Sequence, residues 1–229
     1  MLETQHRSAD LGNLTDPLAE IVYIVLSRQT REVVYQEVFR QLRLRFPTWL
    51  SVLSAPSDEV LRVISPAGLQ NQRLRQLQAM LAAVLRDNLD RGVGAAQPPS
   101  DLTLAYLRDL SDLEAEAFLC KLPGVGLKTA RCVLSYALER PAFAVDTHVE
   151  RIVTRLGWIP PSSGRLKHNE YQEIVPSPVR RRLHVNLVHH GRAVCRTRKP
   201  RCEECVLRVN ADRKRARALI ENGSAVVGS

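Results

Sequence analysis

Three of the chain's five cysteines fall in the segment "CRTRKPRCEECVLRVNADRKRAR", residues 195–217. Cys195, Cys202 and Cys205 follow one another at intervals of six and two intervening residues. Thiols grouped this way suit a metal or an iron–sulfur cluster, yet a tetrahedral ion or a cubane normally takes four ligands and this spacing supplies three. The same segment holds nine lysines and arginines against Glu203, Glu204 and Asp212, so +6 of the chain's formal +9 sits in 23 residues. Clustered cations favour a polyanion, most simply nucleic acid, because each phosphate neutralised releases counterions. Charge alone weighs that reading evenly against a solvated basic tail.

A second group of chemically capable residues lies upstream, in "LPGVGLKTA" (122–130). Gly124 and Gly126 suit a tight turn with uncovered amides, and a helix follows at once. Its first N–H groups and positive dipole end would face an anion such as a DNA phosphate. An ordinary helix–helix turn also favours glycine, so spacing leaves the two readings about even. Lys128 falls in the first turn of that helix. A lysine crowded by a helix N-terminus and other cations is driven toward the neutral amine, a nucleophile able to form a Schiff base, and a plain phosphate contact is the alternative. In "VDTHVERIVTRLG", Asp146 stands just ahead of a helix for which Thr147 and Glu150 predict a capping box. Asp146 is either a carboxylate that complements the helix dipole or a group that takes a proton and stabilises positive charge at a sugar C1′.

The elements that would position these residues read as helices. Asp16 and Pro17 predict an N-cap and an N1 proline, and Ser111 with Glu114 predicts a capping box. Ala130, Val133, Leu134, Ala137 and Leu138 form one apolar helical face within a segment running to Arg140. The chain has 229 residues, enough for one large domain or two small ones; 45% are hydrophobic and only 5% aromatic, and no alternating strand pattern stands out. No apolar run reaches the roughly 20 residues that span a bilayer, and the polar N-terminus lacks a signal-peptide core. A reducing cytosol is therefore expected, with Cys120 and Cys132 serving as small buried apolar residues. The stretches 89–101 and 159–167 and the tail 218–229 are expected to be the least ordered.

Taken together, "LPGVGLKTA" and "VDTHVERIVTRLG" resemble the helix-hairpin-helix and catalytic-aspartate signature of the endonuclease III family of DNA base-excision glycosylases. The resemblance extends over nearly the whole chain: "VLSRQT", "PAGLQNQRLRQL" and "VNLVHHGRAVC" follow the family in order. It implies an all-α, two-domain fold with a DNA cleft between the domains. A six-helix barrel would cover 16–139, and a discontinuous iron–sulfur domain would cover 1–15 and 140–229. It implies a bifunctional N-glycosylase and AP lyase acting on oxidised pyrimidines in duplex DNA. Lys128 would attack C1′ and Asp146 would act as the activating carboxylate. Gln29 and Leu69 would fill the space left by the flipped base. Gly124, Gly126, Arg196, Arg198, Lys199 and Arg201 would hold the DNA backbone. Lysine at 128 argues against the family's adenine-specific mismatch branch. The alternatives are a lesion- or abasic-site-binding protein with little catalysis, or a glycosylase with another base preference. A monomer without membrane association is expected, cytoplasmic and, in a bacterium, nucleoid-associated.

The family's cluster loop reads C-x6-C-x2-C-x5-C and binds a 4Fe–4S cluster. Cys195, Cys202 and Cys205 match its first three positions, and the fourth falls on Ala211. Asp212 or a solvent oxygen would then complete the cluster; a three-iron species, a degraded cluster, or zinc on three thiolates are the other outcomes. Two further departures are a longer stretch between Leu69 and Lys128, and Arg28 where the family usually carries a small or amide residue.

Overall fold

The computed structural model describes residues 2–6, 11–93, 101–158 and 168–208. Ala211, Asp212, the expected loops at 94–100 and 159–167, and the tail 218–229 lie outside the described residues. Within them the protein is helical throughout, with no strand. The helices are α1 (Leu2–Gln5), α2 (Pro17–Ser27), α3 (Glu32–Arg45), α4 (Trp49–Ser54), α5 (Ser57–Ile64), α6 (Gln70–Asp90), α7 (Asp112–Lys121), α8 (Leu127–Tyr136), α9 (Thr147–Arg155), α10 (His168–Ile174) and α11 (Arg180–Ala193). The chain divides into two compact units, Gly12–Arg140 and Met1–Leu11 with Pro141–Ser229.

In the first unit α2 is the central element. Leu18, Ile21, Val22, Val25 and Leu26 are at most 1% exposed, and the helix is buried on nearly every side, as expected of one apolar all round. It starts as the sequence predicts: Asp16 Oδ1 accepts the Ala19 N–H at 2.7 Å and Pro17 fills the first position. Glu20, fully buried on the same helix, accepts the Leu14 N–H at 2.8 Å and so fixes the entering chain. Helices α3, α6 and α8 pack around α2, while α4 and α5 cover α6.

The Ser111–Glu114 capping box is present at the start of α7. The predicted apolar stripe of α8 is buried from Ala130 to Leu138. The helix itself stops at Tyr136, short of Arg140. Glu139 is left-handed at φ 56°, and the Arg140 N–H closes back on Leu134 O at 2.8 Å, ending the helix without a glycine. At the other end of the expected loop 89–101, α6 runs on through Asp90, and Asp101 Oδ1 accepts from Trp49 N–H at 2.5 Å and Leu50 N–H at 3.2 Å. Both margins of that stretch are therefore structured.

The second unit is built on α9 packed along α11. Phe143, Val145, Val149, Ile152, Val153, Tyr171 and Leu187 form its core. Gly191 of α11 lies so close to α9 that a Cβ there would meet His148 at 2.7 Å, which is why this helix carries a glycine in its last turn.

Candidate functional site

The hairpin between α7 and α8 is anchored by buried Leu122 and Val125, with the Val125 N–H bonded to Leu122 O at 3.0 Å. The two apolar residues point inward, so Gly124 and Gly126 carry the exposed backbone. Their roles differ from the sequence expectation. Gly124 is left-handed at φ +75°, and a Cβ there would lie 2.2–2.7 Å from the side chain of Gln76. Gly126 is extended, φ −94° and ψ 174°, a conformation open to any residue, and a Cβ there meets nothing within 4 Å. Gly126 is the N-cap of α8 and offers no side-chain cap, and the first turn carries no acidic residue. The positive dipole end of α8 thus meets no carboxylate in its own first turn. Lys128 occupies the second position of this helix, half-buried. The Arg131–Glu116 ion pair, 2.9 Å, joins the two arms of the hairpin.

Arg28 reaches this hairpin from the end of α2. Its Nη2 donates to Gly124 O at 3.0 Å and Thr129 Oγ1 at 3.3 Å, and its Nη1 to Gln76 Oε1 at 3.1 Å. Gln76 Nε2 donates to the same Gly124 carbonyl at 3.0 Å. Burial pushes the Arg28 guanidinium below its ordinary value. The cation that departs from the family pattern is therefore engaged with the turn that carries Gly124.

Gln29 is exposed and left-handed, φ 53°, one residue beyond the C-cap of α2. Leu69 is left-handed too, φ 51°, at the N-cap of α6, and 48% exposed. Read from residue type alone, a leucine here would belong to the core and a glutamine to a helix surface; the structure places both on turns with their side chains toward solvent.

In the second unit, Asp146 is itself the N-cap of α9: its Oδ1 accepts the His148 N–H at 2.9 Å and the Val149 N–H at 2.8 Å. The predicted Thr147–Glu150 capping box is displaced by one residue, because the aspartate ahead of the threonine reaches two amides at once. Lys128 and Asp146 thus stand at the starts of two helices, one in each unit.

Cys195, Cys202 and Cys205 line one pocket of about 570 Å³. Ile152, Leu156 and Leu207 supply its apolar wall. Arg155 Nη1 lies 3.2 Å from Cys195 Sγ, and His190 Nε2 lies 3.3 Å from Cys205 Sγ. Burial pushes the Cys205 thiol up. The three thiols share this pocket wall, but among the described residues no group of three or more His, Cys, Asp or Glu side chains is arranged to hold a metal ion; Ala211 and Asp212, at and beside the fourth position of the spacing, lie outside those residues. The turn over it closes through Cys195 N–H to His190 O, 2.8 Å, and Arg201 N–H to Val194 O, 3.0 Å. Arg196, Arg198, Lys199 and Arg201 are all exposed on this loop. Arg151 and Arg155, four residues apart on α9, tie it to the helix capped by Asp146: Arg151 Nε donates to Cys195 O at 2.9 Å and Arg155 Nη1 to Arg196 O at 2.8 Å. Their spacing is visible in the sequence, but not the partners it serves. Cys132 is buried as expected; Cys120, at the end of α7, is exposed.

A helical protein with a glycine-capped hairpin, a lysine in its second arm and a cysteine-lined basic loop has the arrangement of a DNA-repair glycosylase. The model of the HhH-GPD superfamily base excision DNA repair proteins matches residues 22–177. Endonuclease III of Thermotoga maritima is 29% identical over 210 residues, covering 91% of this chain and 89% of that protein. Two solved structures are similar at 27% identity: a non-covalent endonuclease III–DNA complex, with a TM-score of 0.74 and 94% of each chain covered, and a trapped endonuclease III–DNA covalent intermediate, with a TM-score of 0.71 and 93% of each covered. The chain belongs to the HhH-GPD superfamily, in its endonuclease III family, and is a base-excision DNA glycosylase. Among the described residues no helix is long and apolar enough to cross a membrane.

Proposed function

We propose that the protein is a bifunctional DNA glycosylase and AP lyase that removes oxidised pyrimidines from duplex DNA. The observation that carries this reading is Lys128 in the first turn of a helix that begins at a glycine cap and carries no acidic residue in that turn. Gly124, Gly126 and the amides after them grip a backbone phosphate, bringing the amine beside the sugar of the nucleotide to be repaired. The target base leaves the stack, at a cost of a few kcal/mol that is smaller for a poorly pairing lesion. Gln29 and Leu69, exposed on their turns, fill the vacated space.

The Lys128 Nζ then forms a bond to C1′ as the glycosidic C–N bond breaks. The base departs with that electron pair and is protonated. Ring opening gives an imine between Nζ and C1′, a proton is lost from C2′, and the 3′ phosphate leaves by β-elimination. Asp146, held at a helix N-terminus by two amides, serves as the carboxylate that takes the amine's proton and balances positive charge at the sugar. A covalent route is supported by the similar endonuclease III that was trapped as a covalent intermediate with DNA.

Cys195, Cys202 and Cys205 would hold an iron–sulfur cluster, with Asp212 or a solvent oxygen as the fourth ligand. Bound there, the cluster would set the shape of the loop that presents Arg196, Arg198, Lys199 and Arg201 to phosphates. The unit Gly12–Arg140 then serves as the barrel domain and the remainder as the cluster domain, in a protein acting as a monomer.

Borohydride trapping tests the mechanism on duplexes carrying an abasic site, thymine glycol or oxidised guanine. Wild type should give a covalent adduct, strongest with abasic and pyrimidine-lesion duplexes, and Lys128→Ala none. Adduct at wild-type yield in Lys128→Ala removes that residue from the role. Trapping at the abasic duplex alone would identify a lyase without base excision.

A further inference from the structure

Arg73 lies in the first turns of α6, with 3% of its surface exposed, and its guanidinium bonds to carbonyl and hydroxyl oxygens. Nη1 donates to Val25 O at 3.0 Å and also to Leu26 O, two carbonyls left over at the end of α2. Nη2 donates to Arg28 O at 2.5 Å and Thr30 Oγ1 at 2.8 Å. These last two acceptors flank Gln29 on either side. The backbone N–H of Arg73 meanwhile bonds Leu69 O at 2.9 Å. One residue therefore touches the turn that carries Gln29 and the turn that carries Leu69.

Thr30 completes the link. While accepting from Arg73, its hydroxyl lies 2.8 Å from Ala67 O, its nearer acceptor, and 3.0 Å from Arg28 O. Ala67 begins the sequence Ala67–Gly68–Leu69, in which Gly68 at φ 76° and Leu69 at φ 51° are both left-handed. Left-handed backbone is unfavourable for glutamine and leucine and persists where the surroundings over-determine it. Here the surroundings are a buried cation at the negative end of the α2 dipole and one hydroxyl bridging two turns that are 37 residues apart in sequence.

We propose that Arg73, acting through Thr30, is a positioning residue that makes Gln29 and Leu69 a single preformed wedge. This rests on the repair function proposed above. Because both side chains are already set before DNA arrives, opening a base pair does not also have to order two loops. Arg73 touches no substrate; it holds the residues that do.

Thr30→Val keeps the shape of the bridge and removes its hydrogen bonds, and Thr30→Ser keeps the hydroxyl. Without DNA, Thr30→Val should speed amide exchange in both 27–31 and 66–70 by about tenfold, the effect of one lost buried hydrogen bond, while Thr30→Ser stays near wild type. Faster exchange in one segment alone overturns the coupling. With DNA, the probe is a duplex with 2-aminopurine beside a tetrahydrofuran abasic analogue, at saturating protein. Wild type and Thr30→Ser should raise the fluorescence, and Thr30→Val should lose most of that rise. In a Gln29→Ala/Leu69→Ala background, Thr30→Val should have no further effect. A full rise in Thr30→Val, or an added loss in the wedge-less background, refutes the positioning role. Wild type that binds the duplex without raising the fluorescence refutes the wedge itself. A wild-type protein that binds no duplex refutes the proposed function and the wedge with it, and exchange still decides whether the two turns are coupled.

Discussion

Two glycines separated by one residue in the hairpin should respond oppositely to the same methyl group. At Gly124, alanine would have to hold φ near +75°, which costs roughly 1–2 kcal/mol. Its Cβ would also meet the Gln76 side chain at 2.2–2.7 Å. That side chain is flexible and can swing away, but in doing so it gives up the 3.0 Å bond to Gly124 O and the 3.1 Å bond from Arg28. At roughly 0.5–1.5 kcal/mol for each bond, the substitution should cost about 2–5 kcal/mol in all. For a chain of this length that is a fall in Tm of about 4–20 °C. At Gly126 the backbone is extended and the space beside it is open, so Ala should cost less than about 1 kcal/mol, the difference between two weak N-caps. In the proposed function the methyl group would instead stand where a backbone phosphate approaches the start of α8. Thermal melts and duplex titrations at two salt concentrations read the contrast: Gly124→Ala lowers Tm, whereas Gly126→Ala leaves Tm nearly unchanged and weakens DNA binding. A Gln76→Ala background isolates the side-chain contribution, because Gly124→Ala should then cost only its backbone strain. Equal losses of Tm at the two glycines, or an unchanged Gly124→Ala penalty without Gln76, would refute this account of the turn.

Asp16→Ala removes the side-chain cap of the buried central helix and should cost about 1 kcal/mol, read as a Tm lower by roughly 2–4 °C. The hydroxyl and then the amide of Ser111 hold the Glu114 carboxyl below its ordinary value. A group depressed in the folded state contributes stability above its unfolded pKa and loses it as the pH falls through the folded one. Ser111→Ala should therefore lower Tm at neutral pH and progressively less below the usual carboxylate range, in melts run across that span. Protein purified without air should be brown and carry iron with acid-labile sulfide, and Ala211→Cys, which supplies the fourth thiol of the spacing, should slow bleaching in air. A colourless preparation with stoichiometric zinc would refute the cluster.

The legible parts of this molecule were those written locally. The Asp16–Pro17 start, the Ser111–Glu114 box and the apolar stripe of α8 each depend on residues within a turn or two, and each stands as the sequence predicts. Adjacent candidates were harder to separate. "VDTHVE" offers two good caps side by side, and only the backbone decides that Asp146 rather than Thr147 takes the amides. Glu139 ends α8 in a left-handed conformation that carries no glycine to announce it. Cys120 shows that a small apolar type next to buried Leu119 can still face outward.

The candidate site residues and the groups that hold them differ in how the sequence records them. Gln29 follows the end of α2, Leu69 precedes α6, Lys128 opens α8, Asp146 opens α9 and Cys195 follows α11. Helix ends are where backbone groups lack partners and where a left-handed residue, a capping carboxylate or a bound anion finds a role, so chemistry collects there and leaves short motifs behind it. The groups that hold those ends come from distant parts of the chain: Arg73 to Arg28 O and Thr30, Arg28 to Gly124 O, Gln76 to Gly124 O, Arg151 to Cys195 O. Each is a polar side chain at helical spacing whose partner is mostly a backbone carbonyl, and a carbonyl has no residue identity for a motif to record. The candidate site residues are therefore readable from short strings, whereas those that hold them become visible only when the chain is folded.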